Sequence, residues 1–198
     1  MHRRYKTALY RSRIEQIKEK MPDACIGVDV ITGFPGETEA EFRATFDFLH
    51  SLPISYIHAF TFSERANTEA ANLPNSVPYS IREERTRQLQ SLSEKKKRAF
   101  YESQNGSTKT ILVEHEVKNG FRFGFTENYI KVQVPEEKSV ANSLMLVNLD
   151  NLLPETLYAF NGNWFFLNIF AQNLTQMQNS YNQQLNNWIN EEKVANEI

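Results

Sequence analysis

The stretch Gly27-Val28-Asp29-Val30-Ile31-Thr32-Gly33-Phe34-Pro35-Gly36-Glu37-Thr38 constrains this chain more than any other. Residues 25–32 are short, β-branched and mostly apolar, which reads as a strand buried in a parallel sheet. Two glycines around a proline then let the backbone turn sharply off the strand and leave room for a ligand beside it. Glu37, Thr38 and Glu39 open a helix, where acidic side chains suit the positive end of the helix dipole. Its apolar face is Phe42, Phe46 and Leu49, and Pro53 ends it. Residues 56–62 make a second strand. Strand, helix and strand at this spacing form a βαβ crossover. Two strands do not hold a sheet together alone, so the pattern implies strands that this chain does not supply.

The flanks split the remainder. Residues 5–20 carry Leu9, Ile14 and Ile17 among charges, an amphipathic helix. Residues 63–79 are a polar loop, and 80–103 a long charged helix with Ile81, Leu89, Leu92, Ala99 and Phe100 as apolar positions. The period then changes from helical to alternating. Five short strands are expected at 111–115, 121–125, 129–134, 143–149 and 156–160. Asn119-Gly120 between the first two is a strong hairpin signal. Five strands in so short a stretch suggest a small OB-like barrel, a shape used in nucleic-acid binding.

Residues 161–198 differ again, with fifteen Asn or Gln and an apolar stripe at Leu174, Met177, Tyr181, Leu185 and Trp188 that reads as a helix. The expected fold class is therefore α/β plus all-β. It divides into 1–103, an α/β segment, 104–160, a β-barrel, and 161–198, an Asn/Gln-rich helical tail.

Net charge is −2, so no global basicity announces a nucleic-acid partner, yet residues 1–20 hold seven Arg or Lys against two Glu. The single cysteine, Cys25, excludes an intrachain disulfide framework and a Cys-rich metal site, and reads as a small apolar residue heading a strand. His2, His50 and His115 have no ligand spacing, and His58 alternates within a strand as a packed residue would. The run Lys95-Lys96-Lys97-Arg98 reads as a solvated helix face. The basic start leads into charged sequence rather than an apolar core, and the longest apolar run, 164–170, is interrupted by Asn168. No membrane partner and a cytoplasmic location are expected.

Three blocks, "MHRRYKTALY", "DVITGFPGETEAEFRATFDFL" and "YIHAFTFSERANTEAANLP", together resemble the radical-SAM methylthiotransferases in order and spacing. The segment 108–160, with "GFTENYIKV", resembles the RNA-binding TRAM domain that follows the partial TIM-type barrel in that family. The resemblance covers roughly residues 1–160 and matches best the branch acting on threonylcarbamoyl-adenosine beside the tRNA anticodon. Branches acting on isopentenyl-adenosine or on a ribosomal-protein aspartate match less well.

The resemblance implies chemistry with S-adenosylmethionine and [4Fe–4S] clusters. It places Asp29, Val30, Ile31, Gly33, Gly36 and Glu37 on the adenosylmethionine side of the barrel, with Val30 and Ile31 against the adenine. Phe62 and Ser63 would approach the same cofactor, and Arg65 either the cofactor or substrate, or else a salt bridge with Glu64 or Glu69. "SERANT" departs from the family's commoner Pro- and Gly-containing loop. In the TRAM-like segment, Lys118, Arg122, Phe125, Asn128, Tyr129 and Lys131 are the candidates for RNA, through phosphates and base stacking. Of Phe125 and Tyr129, one is expected in the barrel core and the other exposed.

A radical-SAM cluster needs three cysteine thiolates in a CxxxCxxC loop, and this chain has one cysteine. The resemblance therefore implies the C-terminal part of a longer enzyme, inactive alone. It would be completed by a separately encoded N-terminal half or kept as a non-catalytic RNA-binding remnant.

Overall fold

A computed structural model describes residues 6–154 and 157–160 of the chain. The chain divides into two units, 1–163 and 164–198, and the first is described here. The expected C-terminal helix lies outside the described residues.

Helix α1 spans Thr7–Lys20 and buries Ile14, while Leu9 stays exposed. Strand β1, Gly27–Thr32, and strand β2, Tyr56–Thr61, pair in parallel from Gly27 opposite Tyr56 to Thr32 opposite Thr61. Helix α2, Glu39–Ser51, makes the crossover between them. Thr38 caps it: its hydroxyl accepts from the Glu41 N–H at 3.2 Å while the Glu41 carboxylate accepts from the Thr38 N–H at 2.8 Å. This reciprocal pair satisfies two of the orphan donors at the helix start. Helix α3, Tyr79–Glu102, packs over the same face of the sheet. Phe42, Leu49, Leu52, Ile57, Leu89 and Leu92 close the core between strands and helices.

The buried side of α3 is not purely apolar. Ile81 and Ala99 are exposed, and the buried positions of its first half are Arg82, Arg85 and Thr86, all polar, together with Leu89. The lysine run is also no simple solvated face. Lys96 donates to the carbonyls of His50 and Leu52 at 3.0 and 2.8 Å, satisfying the end of α2, and Arg98 reaches the Leu153 carbonyl at 2.6 Å.

The β part is a five-stranded sheet in the order β6-β3-β4-β5-β7, curled as a half-barrel. Its strands are β3 Thr108–Lys118, β4 Phe121–Thr126, β5 Lys131–Pro135, β6 Leu144–Asn148 and β7 Tyr158–Ala159. The β3–β4 hairpin turns through Asn119 at φ 55° and Gly120 at φ 78°, the two left-handed residues such a tight turn requires. All pairings are antiparallel except β5 with β7.

The concave face buries Ile111, Val113, Val132, Val134 and Val147, and α3 completes this core with Phe100 and Tyr101. A division at 103/104 therefore cuts through packed side chains. Tyr129, read as the start of a strand, sits instead in the turn before β5 at φ 61°.

Candidate functional site

At the carboxyl ends of β1 and β2 the strands hand over to their loops side by side. Thr32 and Thr61 meet the Thr86 hydroxyl of α3 at 2.7 and 2.8 Å. Gly33 follows at φ 77°, and a Cβ there would lie 2.2 Å from Arg82 Cγ, so glycine is needed for both conformation and space. Gly36, at φ 87°, has open space around its Cα. Glu37 turns inward: one carboxylate oxygen accepts from the Gly33 N–H and from Arg85 Nη1, both at 2.7 Å. Arg85 Nη2 also donates to Glu39 at 3.1 Å, while its buried Nε has no partner among the described residues.

Arg82 ties down the loop after β2. It donates to the carbonyls of Val77 and Phe62, to Ser76 Oγ and to the Glu64 carboxylate. Phe62 stands edge-on to Phe34 at 5.3 Å, and the Arg82 guanidinium lies 5.5 Å from the Phe62 ring. Arg65 is exposed and makes no ion pair among the described residues, so the expected bridge to Glu64 or Glu69 is absent; Glu64 serves Arg82 instead.

The Arg82 hydrogen bond holds the Glu64 carboxyl at about 2, against an ordinary 4.5. The pair's stabilisation is therefore complete above about pH 4.5 and lost as pH falls towards 2. The stability advantage of the native chain over Glu64→Gln should be full at pH 6 and vanish near pH 2. Urea unfolding midpoints across that range check this, and a difference independent of pH would contradict it.

Strand alternation sorts the remaining candidates here. Val30 packs into the core, whereas Asp29 and Ile31 lie on the open face of the sheet beside His58 and Phe60. Val30 and Ile31 thus face opposite sides of the sheet. His58 is exposed, not packed, with its ring between those of Tyr56 at 4.9 Å and Phe60 at 6.4 Å. Ser63 is exposed and Phe62 half-buried. Cys25 is half-buried against the β core, and burial pushes its thiol up.

On the β part, the convex face gathers several of the candidates for RNA. Register puts Lys118 opposite Phe121, Leu112 opposite Phe125, and Lys131 opposite Phe125. Lys131 Nζ lies 4.4 Å from the Phe123 ring centroid. Lys118 and Lys131 make no ion pairs among the described residues, whereas Arg122 is bound to Glu136 at 3.3 Å. Both Phe125 and Tyr129 are exposed, so neither fills the core as expected of one of them.

Asn128 is placed inside, where its amide donates to the Asp23 carbonyl at 3.0 Å and to Gln104 Oε1 at 3.1 Å. With the Lys109–Asp23 ion pair at 3.1 Å, it clasps the β sheet to the α1–β1 connection and the residues after α3. The sequence missed Arg82, Arg85 and this clasp.

The fold and site define a βα turn at parallel strand ends, carried beside a curled β-sheet compatible with a TRAM-like domain. No protein-family model matches the sequence. Individual relatives do. A threonylcarbamoyladenosine tRNA methylthiotransferase (MtaB) of Aquifex aeolicus is 39% identical over 140 residues, 71% of this chain and 33% of that protein. Its Bacillus subtilis namesake is 30% identical over 154 residues, 75% of this chain and 34% of the relative. A tRNA-2-methylthio-N(6)-dimethylallyladenosine synthase of Desulfitobacterium hafniense is 33% identical over 160 residues, 80% and 36% respectively. The chain belongs to the tRNA methylthiotransferase family and spans about a third of the length of these relatives. Among the described residues no helix is long and apolar enough to cross a membrane, and no three His, Cys, Asp or Glu are grouped to hold a metal ion.

Proposed function

We propose that this chain forms the C-terminal part of a cytoplasmic tRNA methylthiotransferase, with residues 6–103 as part of a radical-SAM barrel and 104–160 as its TRAM domain. The substrate we assign is threonylcarbamoyl-adenosine, because the 39% match is to a relative named for that nucleoside, against 33% for the dimethylallyl-adenosine relative. The observation that carries the tRNA reading is the convex face of the β-sheet. Its aromatic rings and unpaired lysines lie side by side, as a surface for phosphates and unstacked bases requires.

The residues present do not fit an iron–sulfur cluster. One half-buried cysteine cannot supply three thiolates, so no cluster chemistry is assigned to this chain. For S-adenosylmethionine the fit lies on the open sheet face. Asp29, Ile31 and Phe60 are free there to meet a nucleoside, while Gly33 and Glu37 shape the turn from inside. When bound, that cofactor would supply the methyl group, and a radical only where a partner's iron–sulfur cluster provided the electron. This chain's own residues hold the turn and offer an apolar wall. The uncovered face, with Phe60 53% exposed, also favours a partner polypeptide that completes the sheet.

The test is fluorescence anisotropy of a labelled tRNA anticodon stem-loop against this chain at rising salt. Affinity should fall linearly with salt on logarithmic axes, and Lys118→Ala with Lys131→Ala should flatten the slope by roughly two phosphate contacts. No salt-dependent binding would overturn the reading.

A further inference from the structure

The turn before β5 carries an unusual investment. Tyr129 has φ 61°, a left-handed conformation that disfavours a bulky side chain, yet the residue is 73% exposed. No packing of its ring offsets the strain. Glycine or asparagine would occupy the position more comfortably.

Everything around the ring is fixed. The Tyr129 N–H donates to the Thr126 carbonyl at 3.0 Å, and the Ile130 N–H donates to Thr126 Oγ1 at 2.9 Å. Thr126 Oγ1 donates in turn to Asn128 Oδ1 at 2.7 Å. Asn128, 7% exposed, is anchored through its amide to the Asp23 carbonyl and Gln104. Tyr101 Oη donates to the Tyr129 carbonyl at 3.4 Å. A buried polar network thus over-determines a strained backbone whose one free product is an aromatic face in water.

That face is not isolated. Tyr56, whose ring lies across Gly27 so closely that a Cβ there would be 2.3 Å from its Cζ, is an electrostatic neighbour of the Tyr129 phenol. Lys131, two residues on, carries a cation with no carboxylate partner among the described residues.

We propose that the turn at residues 126–130 is a preorganised stacking site for one unpaired RNA base, with Tyr129 as the stacking face and Lys131 for an adjoining phosphate. This rests on the RNA-binding reading above and goes further, since it locates a base contact and selects looped over paired RNA. The backbone at Tyr129 is already held, so only the side-chain torsions remain to be ordered on binding.

The test uses the full chain with Tyr129→Phe, Tyr129→Ala and Tyr129→Gly, titrated against a labelled RNA hairpin with a seven-nucleotide loop and against a fully paired duplex. Tyr129→Phe should bind like the native chain. Tyr129→Ala and Tyr129→Gly should weaken hairpin binding by about tenfold and leave duplex binding unchanged. Tyr129→Gly should also melt no lower than the native chain, because it relieves the left-handed strain. Unchanged hairpin binding by the alanine and glycine variants overturns the stacking site while the lysine-bearing face stands. A lower melting temperature for Tyr129→Gly overturns it too, by showing that the ring serves packing. Loss of salt-dependent binding to both RNAs in the native chain would sink both proposals together.

Discussion

Replacing Tyr101 with alanine should cost about 4 kcal/mol of stability, the scale for truncating a fully buried aromatic. Tyr101 is 3% exposed and stacks on Tyr158 with centroids 6.2 Å apart. Its hydroxyl accepts from the Lys131 N–H at 2.9 Å, and its carbonyl accepts from Tyr158 Oη at 2.7 Å. The mutation therefore opens a cavity and strips a partner from the backbone of β5 at once. Tyr101→Phe keeps the ring and should cost only about 1 kcal/mol. Denaturant unfolding followed by circular dichroism separates the two, and similar midpoints for both variants would show that the cavity is not the main loss. By the same reasoning, a β segment cut at residue 104 leaves Phe100 and Tyr101 behind and should fold less cooperatively than one beginning at 97.

The particular elements show why sequence carried some of this and not the rest. The Asn119-Gly120 hairpin was legible because two adjacent residues determine both the turn type and the register beside it. The strand, glycine-proline turn and helix at 27–51 were legible for a similar reason: each signal acts over a few residues. The cap of α2 had a signal, Thr38 three residues before Glu41, that went unread.

Other features depend on partners far along the chain. Arg85 meets Glu37 across 48 residues, and nothing local distinguishes it from the solvated Arg87 two positions on. A helix with polar residues on its inner face breaks the periodicity by which inner faces are recognised, so the apolar positions of α3 do not by themselves mark which side is buried: Leu89 and Leu92 are, Ile81 is not. Asn128 stands with the RNA candidates only through its place beside Tyr129 and Lys131 in the sequence. Its carbonyl and carboxamide partners, Asp23 and Gln104, come from segments whose approach no pattern announces. Positive φ at a tyrosine is likewise invisible, since propensity argues against it.

The turn at the strand ends depends on one buried charge pair, so Arg85→Met should be severe. The Arg85 side chain is 6% exposed and that of Glu37 16%. Loss of the guanidinium leaves the Glu37 carboxylate with the Gly33 N–H as its remaining partner in the turn. Breaking a buried pair from one side costs about 3–5 kcal/mol, because the orphaned charge is worse than no pair at all. Residual exposure of Glu37 lets water share the charge and places the expected loss near the lower figure. Methionine keeps much of the apolar stem but not the guanidinium, whose carbon lies 5.2 Å from the Phe42 ring centroid. Glu37→Gln in the same chain should then recover a large part of the loss, since a glutamine oxygen still accepts from Gly33 without carrying charge. Unfolding midpoints of the two single variants and the double variant at neutral pH decide the matter. A double variant no more stable than Arg85→Met would mean that Arg85 acts through packing on Phe42 and its contact to Glu39. The conformation of the Gly33–Gly36 turn would then owe little to the charge beneath it.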